Sequence, residues 1–156
     1  MDAARLEQFV GKALGDMSGA LTASLVVIGD KLGLYRAMRD GEPVNPATLA
    51  ERTGTNERSV REWLSAQAAS GYVEPHADGT YSLPAEHAVA LTDEDSPACV
   101  LGGFQGMTAA TRATPKVIEA FRNGKGVGWH EHDHELFAGT ERFFRPGYNA
   151  HLVADW

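Results

Sequence analysis

A spaced triplet, Ala50, Gly54 and Val60, constrains this chain more than any other feature. Two short helices cross closely only if the first offers a small side chain at the contact. The turn between them needs a residue that tolerates positive φ, and the second helix needs a branched apolar residue facing inward. Ala50, Gly54 and Val60 meet these needs in order. From Tyr72 to Leu83 the chain then places Asp78-Gly79, the chemistry of a tight hairpin turn, between short β-type runs. A helix-turn-helix followed by a hairpin is a winged helix, and the question is whether it holds DNA or serves another use.

The flanks read as helix. Residues 3–15 carry Leu6, Phe9, Val10, Ala13 and Leu14 on one stripe, and a longer helix is expected over about 17–39. Its apolar residues (Leu21, Leu25, Val26, Ile28, Leu32, Tyr35, Met38) wrap more than one face, which predicts burial on two sides. A second subunit or the rest of the same chain would satisfy that pattern equally, so a symmetric homodimer enters as an expectation. Asn45-Pro46 opens the first helix of the motif, with asparagine as the cap and proline at the first helical position. Thr55 or Asn56 caps the second helix, which runs to about Ser70 with Val60, Leu64, Gln67 and Ala68 on one stripe and Trp63 alongside. Beyond Pro84 the pattern predicts helices near 85–90, from Ser96-Pro97 to about Thr111, from Pro115 to Arg122, over Asp133 to Phe137, and from Arg145 to Trp156. Asn123 to Gly128 is a glycine-rich loop.

Composition narrows the function classes. No apolar run is long enough to span a membrane, and the start Met1-Asp2-Ala3-Ala4-Arg5 lacks the pattern of a secretion signal. The single cysteine, Cys99, excludes an internal disulfide framework and suits a reducing cytoplasm. Formal net charge is −7, and no region is basic: residues 45–83 carry 3 basic and 5 acidic side chains. Phosphate neutralisation supplies most nucleic-acid affinity, so a reader normally presents Lys and Arg. On the second motif helix Glu57 and Glu62 offset Arg58 and Arg61, and the wing carries Glu74 and Asp78 without a basic residue. Nucleic acid is therefore disfavoured as a partner. A winged-helix DNA-binding transcriptional regulator, reading with Arg58 and Arg61, stays as the alternative.

Three segments invite chemistry. Gly124-Lys125-Gly126-Val127-Gly128 has the look of a nucleotide loop, but such a loop follows a buried strand and opens a helix, and this one follows a helix. It reads as a connection. His130, His132 and His134, interleaved with acids, would share a face as a strand, and the outer two as a helix; no distant Cys or His completes a metal site, so no metal is assigned. Phe143, Phe144, Arg145 and Tyr148 surround Pro146, mostly as packing with Arg145 in an ion pair; with Trp129 these aromatics also suit the wall of a pocket for a planar or apolar ligand.

The order of these segments resembles one family. A long N-terminal helical pair, a winged helix ending SGYVE (70–74) and DGTYSLP (78–84), an acidic loop, and then GWHEHDHELFAGTERFFRPGY (128–148) look like the N-terminal region of class I S-adenosylmethionine-dependent methyltransferases. Bacterial members are sometimes labelled transcriptional regulators. The resemblance covers essentially the whole chain. It implies a mainly α fold with a small β wing: N-terminal dimerisation helices (1–40), a winged-helix domain (41–92), and a helical lid (93–156) leading to a catalytic domain that would follow. It further implies self-association through the N-terminal helices and a substrate lid built from Trp129, Phe143, Phe144, Arg145 and Tyr148, without a catalytic assignment; a general base from this segment, such as His130, is conceivable but not assigned. A small-molecule methyl acceptor and S-adenosylmethionine would belong to the full-length enzyme. No cofactor and no catalytic residue are expected on this chain, which has no βαβ alternation and would be inactive alone.

Overall fold

The computed structural model describes residues 1–152. A single helix, α1, runs from Ala3 to Lys31, started by the Asp2 carboxylate, which accepts from the amides of Ala4 and Arg5 at 3.0 and 3.2 Å. Two helices were expected here, divided near Asp16. Gly15 and Gly19 keep helical backbone angles and cost only propensity, so nothing breaks the ladder between them. The helix also ends eight residues before the expected Arg39. Gly33 adopts φ +71°, the left-handed conformation that terminates helices, and a short 3-10 turn at Arg36–Met38 follows.

Only the last turns of α1 are buried, at Val26, Gly29 and Asp30. There α1 docks on α3 (Glu57–Ala69), where the Trp63 indole N–H donates to the Leu25 carbonyl at 2.9 Å and Tyr35 meets Trp63 edge to face at 5.0 Å. Gly29 is required at this crossing: a methyl there would press into the Trp63 ring and lie 2.7 Å from the Tyr35 ring. Over residues 3–21, by contrast, only Ala13 is even half-buried. That leaves roughly 28 Å of helix projecting free, at ~1.5 Å per residue.

The winged helix follows its predicted chemistry. In α2 (Pro46–Thr53) Asn45 caps by accepting from the Thr48 amide at 2.8 Å. Ala50 is buried, Gly54 takes φ +63°, and Val60 is buried on α3, which Asn56 caps through the Ser59 amide at 3.1 Å. The wing pairs β1 (Glu74–Pro75) with β2 (Tyr81–Ser82), with Gly79 at φ +81° in the turn, and Val44 adds an antiparallel bridge to Tyr81. The core gathers Val26, Leu34, Met38, Leu49, Leu64 and Leu83 beneath this unit.

After α4 (Ala85–Thr92) come α5 (Leu101–Thr111), α6 (Thr114–Asn123) and α7 (His134–His151). Two expectations fail here. Ser96-Pro97 forms a turn, with the Ser96 hydroxyl accepting from the Ala98 amide, and α5 begins only at Leu101. The closing helix is continuous through Pro146, where two separate pieces were expected. Proline removes one hydrogen bond from a helix interior, and here its ring is buried, so packing holds what local propensity disfavours. The expectation that this helix reaches Trp156 lies, for residues 153–156, outside the described residues.

Candidate functional site

A groove of about 490 Å³ lies between α5 and α7. Glycines create it. A methyl on Gly102 would press on the Phe143 amide and lie 2.6 Å from the Gly139 carbonyl oxygen; one on Gly139 would lie 2.7 Å from the Gly102 oxygen and 2.8 Å from the Gly106 Cα. The two backbones therefore touch, and larger neighbours stand around the contact as walls: Phe104, Met107, Leu136, Phe143 and Phe144. The lining is almost wholly apolar, and large enough for a small planar molecule. The sequence offered a signal for it, Gly102-x-x-x-Gly106, inside the helix expected to run to about Thr111.

Phe143 and Phe144, two of the five lid residues expected from the sequence, line this groove, their rings packed edge to face at 5.2 Å. Phe144 continues into a second hollow of about 440 Å³ that Arg145 and Tyr148 share. Arg145 is the ion-paired residue it was expected to be, with Glu141 at 3.2 Å and Glu94 at 3.8 Å. Trp129 stands apart from these four, in a 3-10 turn (Trp129–Glu131), and packs at 5.0 Å on Phe137 near the start of α7.

Behind the groove lies a polar network that the sequence did not reveal. The Arg142 guanidinium donates to both carboxylate oxygens of Asp30, at 2.5 and 3.0 Å, to Glu94 at 2.7 Å and to Gln105 at 3.3 Å. Those bonds to Asp30 above all, with Glu94 adding to them, push the Arg142 pKa above its ordinary value. Two α7 turns earlier, Glu135 accepts from Lys31 at 3.1 Å and from Gln105 at 2.6 Å, which holds its carboxyl below the usual range. Asp133 caps α7 and is held low by the Arg112 guanidinium at 2.7 Å. An aspartate beside Val26, Val27 and Ile28 was the available signal for Asp30.

The histidine segment adopts neither of the geometries considered for it. His130 is exposed in the 3-10 turn, His132 follows it, and His134 opens α7; among the described residues no group of three or more His, Cys, Asp or Glu is arranged to hold a metal. The glycine loop is a helix end. Gly124 takes φ +72° and caps α6, and the Lys125 amide is turned back onto the Asn123 side chain at 2.8 Å. Neither this loop nor the two-stranded antiparallel wing offers the strand-loop-helix geometry that would cradle a nucleotide cofactor. On α3 the Arg61 guanidinium is paired with Glu57, and α1 runs alongside, with Thr22 against Ser70 at 3.2 Å.

Together these features define a winged helix extended by a long N-terminal helix and a two-helix groove. Residues 20–93 match the family of Rv2258c-like winged HTH domains. Most of the chain superposes on solved structures of methyltransferases. Mitomycin 7-O-methyltransferase MmcR matches with a TM-score of 0.71 and 23% identity, over 96% of this chain and 47% of its own. PigF, solved with SAH, gives 0.69 and 24% over 94% and 48%, and CalO1, a methyltransferase in calicheamicin biosynthesis in its SAH-bound form, gives 0.59 and 21% over 96% and 46%. This chain therefore has the fold of the N-terminal region of S-adenosylmethionine-dependent methyltransferases and spans about half the length of these structures. No curated protein sequence matches it. Among the described residues no helix is long and apolar enough to cross a membrane.

Proposed function

We propose that this chain is the dimerisation and substrate-covering part of an S-adenosylmethionine-dependent methyltransferase, divided as dimerisation helices to residue 40, a winged helix to 92 and a lid thereafter. The observation that carries the reading is the α5–α7 groove, walled by Phe143 and Phe144. Methyl transfer is an in-line displacement at a sulfonium carbon, and a protein assists it chiefly by aligning the acceptor and excluding water. An apolar, nearly uncharged groove does both for a planar organic acceptor, with Arg145 and Tyr148 at its margin and Trp129 at the far end of α7. The S-adenosyl cofactor is read as held by other parts of the enzyme, since no loop among the described residues fits it. A lone buried thiol, Cys99, agrees with a cytoplasmic setting.

The partner is read as a second copy. Leu6, Val10, Leu14, Met17, Leu21 and Ile28 recur along α1 at heptad-like spacing with exposed side chains, and Phe9 joins them. At roughly 100 Å² each they offer about 700 Å² per protomer, close to the ~800 Å² per partner of a standard interface. On α6 the apolar face is bare as well, with Phe121 88% exposed. The winged helix then serves as scaffold rather than reader, in keeping with its paired Arg61 and acidic wing.

Light scattering on residues 1–156 is expected to give twice the chain mass, and Leu14→Glu with Leu21→Glu to give a single chain with unchanged helicity. A monomeric wild type refutes the dimer. Retention of duplex DNA at low salt, weakened by replacing Arg58 and Arg61, would replace this reading with that of a regulator.

A further inference from the structure

Three observations meet at α7. Its contact with α5 is backbone on backbone at Gly102 and Gly139, with the Phe143 ring seated against Gly103. Polar bonds tie it further, through Arg142 to Glu94 and at two points to the end of α1: Asp30 with Arg142 and, seven residues earlier on α7, Lys31 with Glu135. Gln105 of α5 joins the rungs, giving its amide N–H to Glu135 and accepting from Arg142. Asp30 is 6% exposed and Arg142 14%, so the upper rung is sheltered from water and stiff. Arg142 is followed at once by Phe143 and Phe144, the groove wall. Asp30 and Lys31 end a continuous helix whose first two-thirds project without a neighbour.

We propose that these two ties transmit the pairing state of α1 to the lid helix, so that the α5–α7 groove is held in shape only when α1 is partnered. The proposal rests on the dimer reading above. A free arm roughly 28 Å long moves with solvent, and its motion reaches α7 through Asp30 and Lys31. An arm seated on a second copy is still, and α7 is still with it. Ordering at one site then favours ordering at the other without a change of fold.

Hydrogen exchange on the full chain tests this. Met17→Glu with Leu21→Glu alters only the exposed arm. In that variant the amides of residues 136–148 are expected to exchange at least ~10-fold faster than in wild type, while those of α2 and α3 keep their rates. Glu135→Gln and Lys31→Met, made separately, are expected to remain dimeric in light scattering and yet show the faster α7 exchange. Three outcomes overturn the proposal. One is equal α7 protection in paired and unpaired chains. Another is ladder variants that stay dimeric with wild-type α7 exchange. The third is a uniform loss of protection that includes α2 and α3, which would mean mere destabilisation. A wild-type chain that is monomeric overturns the dimer reading and this inference together, and light scattering distinguishes that case from the others.

Discussion

Replacing Gly139 by alanine tests the helix crossing on which the groove depends. The added methyl meets backbone on the opposite helix: the Gly106 amide nitrogen, the Gly102 oxygen at 2.7 Å and the Gly106 Cα at 2.8 Å. None of these atoms can rotate away as a side chain would. Restoring ordinary contact requires α5 and α7 to part by about 1 Å, which disturbs Phe143 against Gly102 and Gly103 as well. Overpacking of this kind costs about 1–3 kcal/mol. Alanine returns ~0.5–1 kcal/mol through its better helix propensity. The net expectation is destabilisation by ~1–2 kcal/mol, which for a domain of this size lowers the melting temperature by roughly 3–6 °C.

The control lies on the same helix. At Gly147 a methyl has nothing within 4 Å, so Gly147→Ala meets no obstacle and gains the propensity term alone. It should raise the melting temperature by about 2 °C. Gly106→Ala, whose methyl would sit at 3.7 Å from the Gly139 and Thr140 backbone, should fall between the two. The assay is thermal unfolding followed by circular dichroism, with all variants at one protein concentration so that any self-association contributes equally. A Gly139→Ala protein that melts at or above Gly147→Ala would refute the close crossing, and with it the shape of the groove.

Two further outcomes follow from the charge network. Arg142→Ala leaves the buried Asp30 carboxylate with Arg36 alone, at 3.6 Å, and should cost about 2–4 kcal/mol in urea unfolding, whereas the double replacement of Arg142 and Asp30 by apolar residues should cost less than Arg142→Ala alone. Asp133 and Glu135 have pKa values held below the ordinary carboxylate range, chiefly by hydrogen bonds from Arg112 and from Lys31 respectively. Groups depressed on folding stabilise fully above their unfolded value near ~4 and lose that contribution as pH falls through the lower folded value. The melting temperature should therefore drop below pH ~4, and drop less steeply in Glu135→Gln with Asp133→Asn.

The elements read correctly from the sequence are those whose cause is local. Asn45 and Asn56 cap helices within three residues of themselves, Gly54 and Gly79 turn the chain where they stand, and Val60 faces inward because of its own helix. The failures share a cause of the opposite kind. Two helices were expected on either side of Asp16, yet Gly15 and Gly19 stay within α1, and the chain leaves the helix only where Gly33 is driven to positive φ. A gap between Phe137 and Arg145 was expected, and α7 instead runs through it and through Pro146, whose burial outweighs the lost hydrogen bond. Gly102 and Gly106 acquire meaning only opposite Gly139, and Asp30 only opposite Arg142, a separation of 112 residues that no window spans.

The same distinction explains why the wall of the α5–α7 groove was half legible. Phe143 and Phe144 were singled out because aromatics crowded around one proline are conspicuous in themselves. Arg142, beside them, was passed over because an arginine among Glu141 and Arg145 reads as solvent-facing. Its side chain is the most sheltered of the three, and it alone reaches across to α1. A periodic apolar stripe states how many faces a helix must cover but not with what. On α1 one face is satisfied by Trp63 and Tyr35, while the heptad-spaced face from Leu6 to Leu21 has no partner within the described residues. Two-sided patterning was thus the right observation with the sides unequally explained: one is folding, and the other, on the reading proposed above, is assembly. If the ties from Asp30 and Lys31 to α7 act as proposed, assembly also governs the groove, and a residue such as Leu21 affects ligand-site order without approaching the ligand.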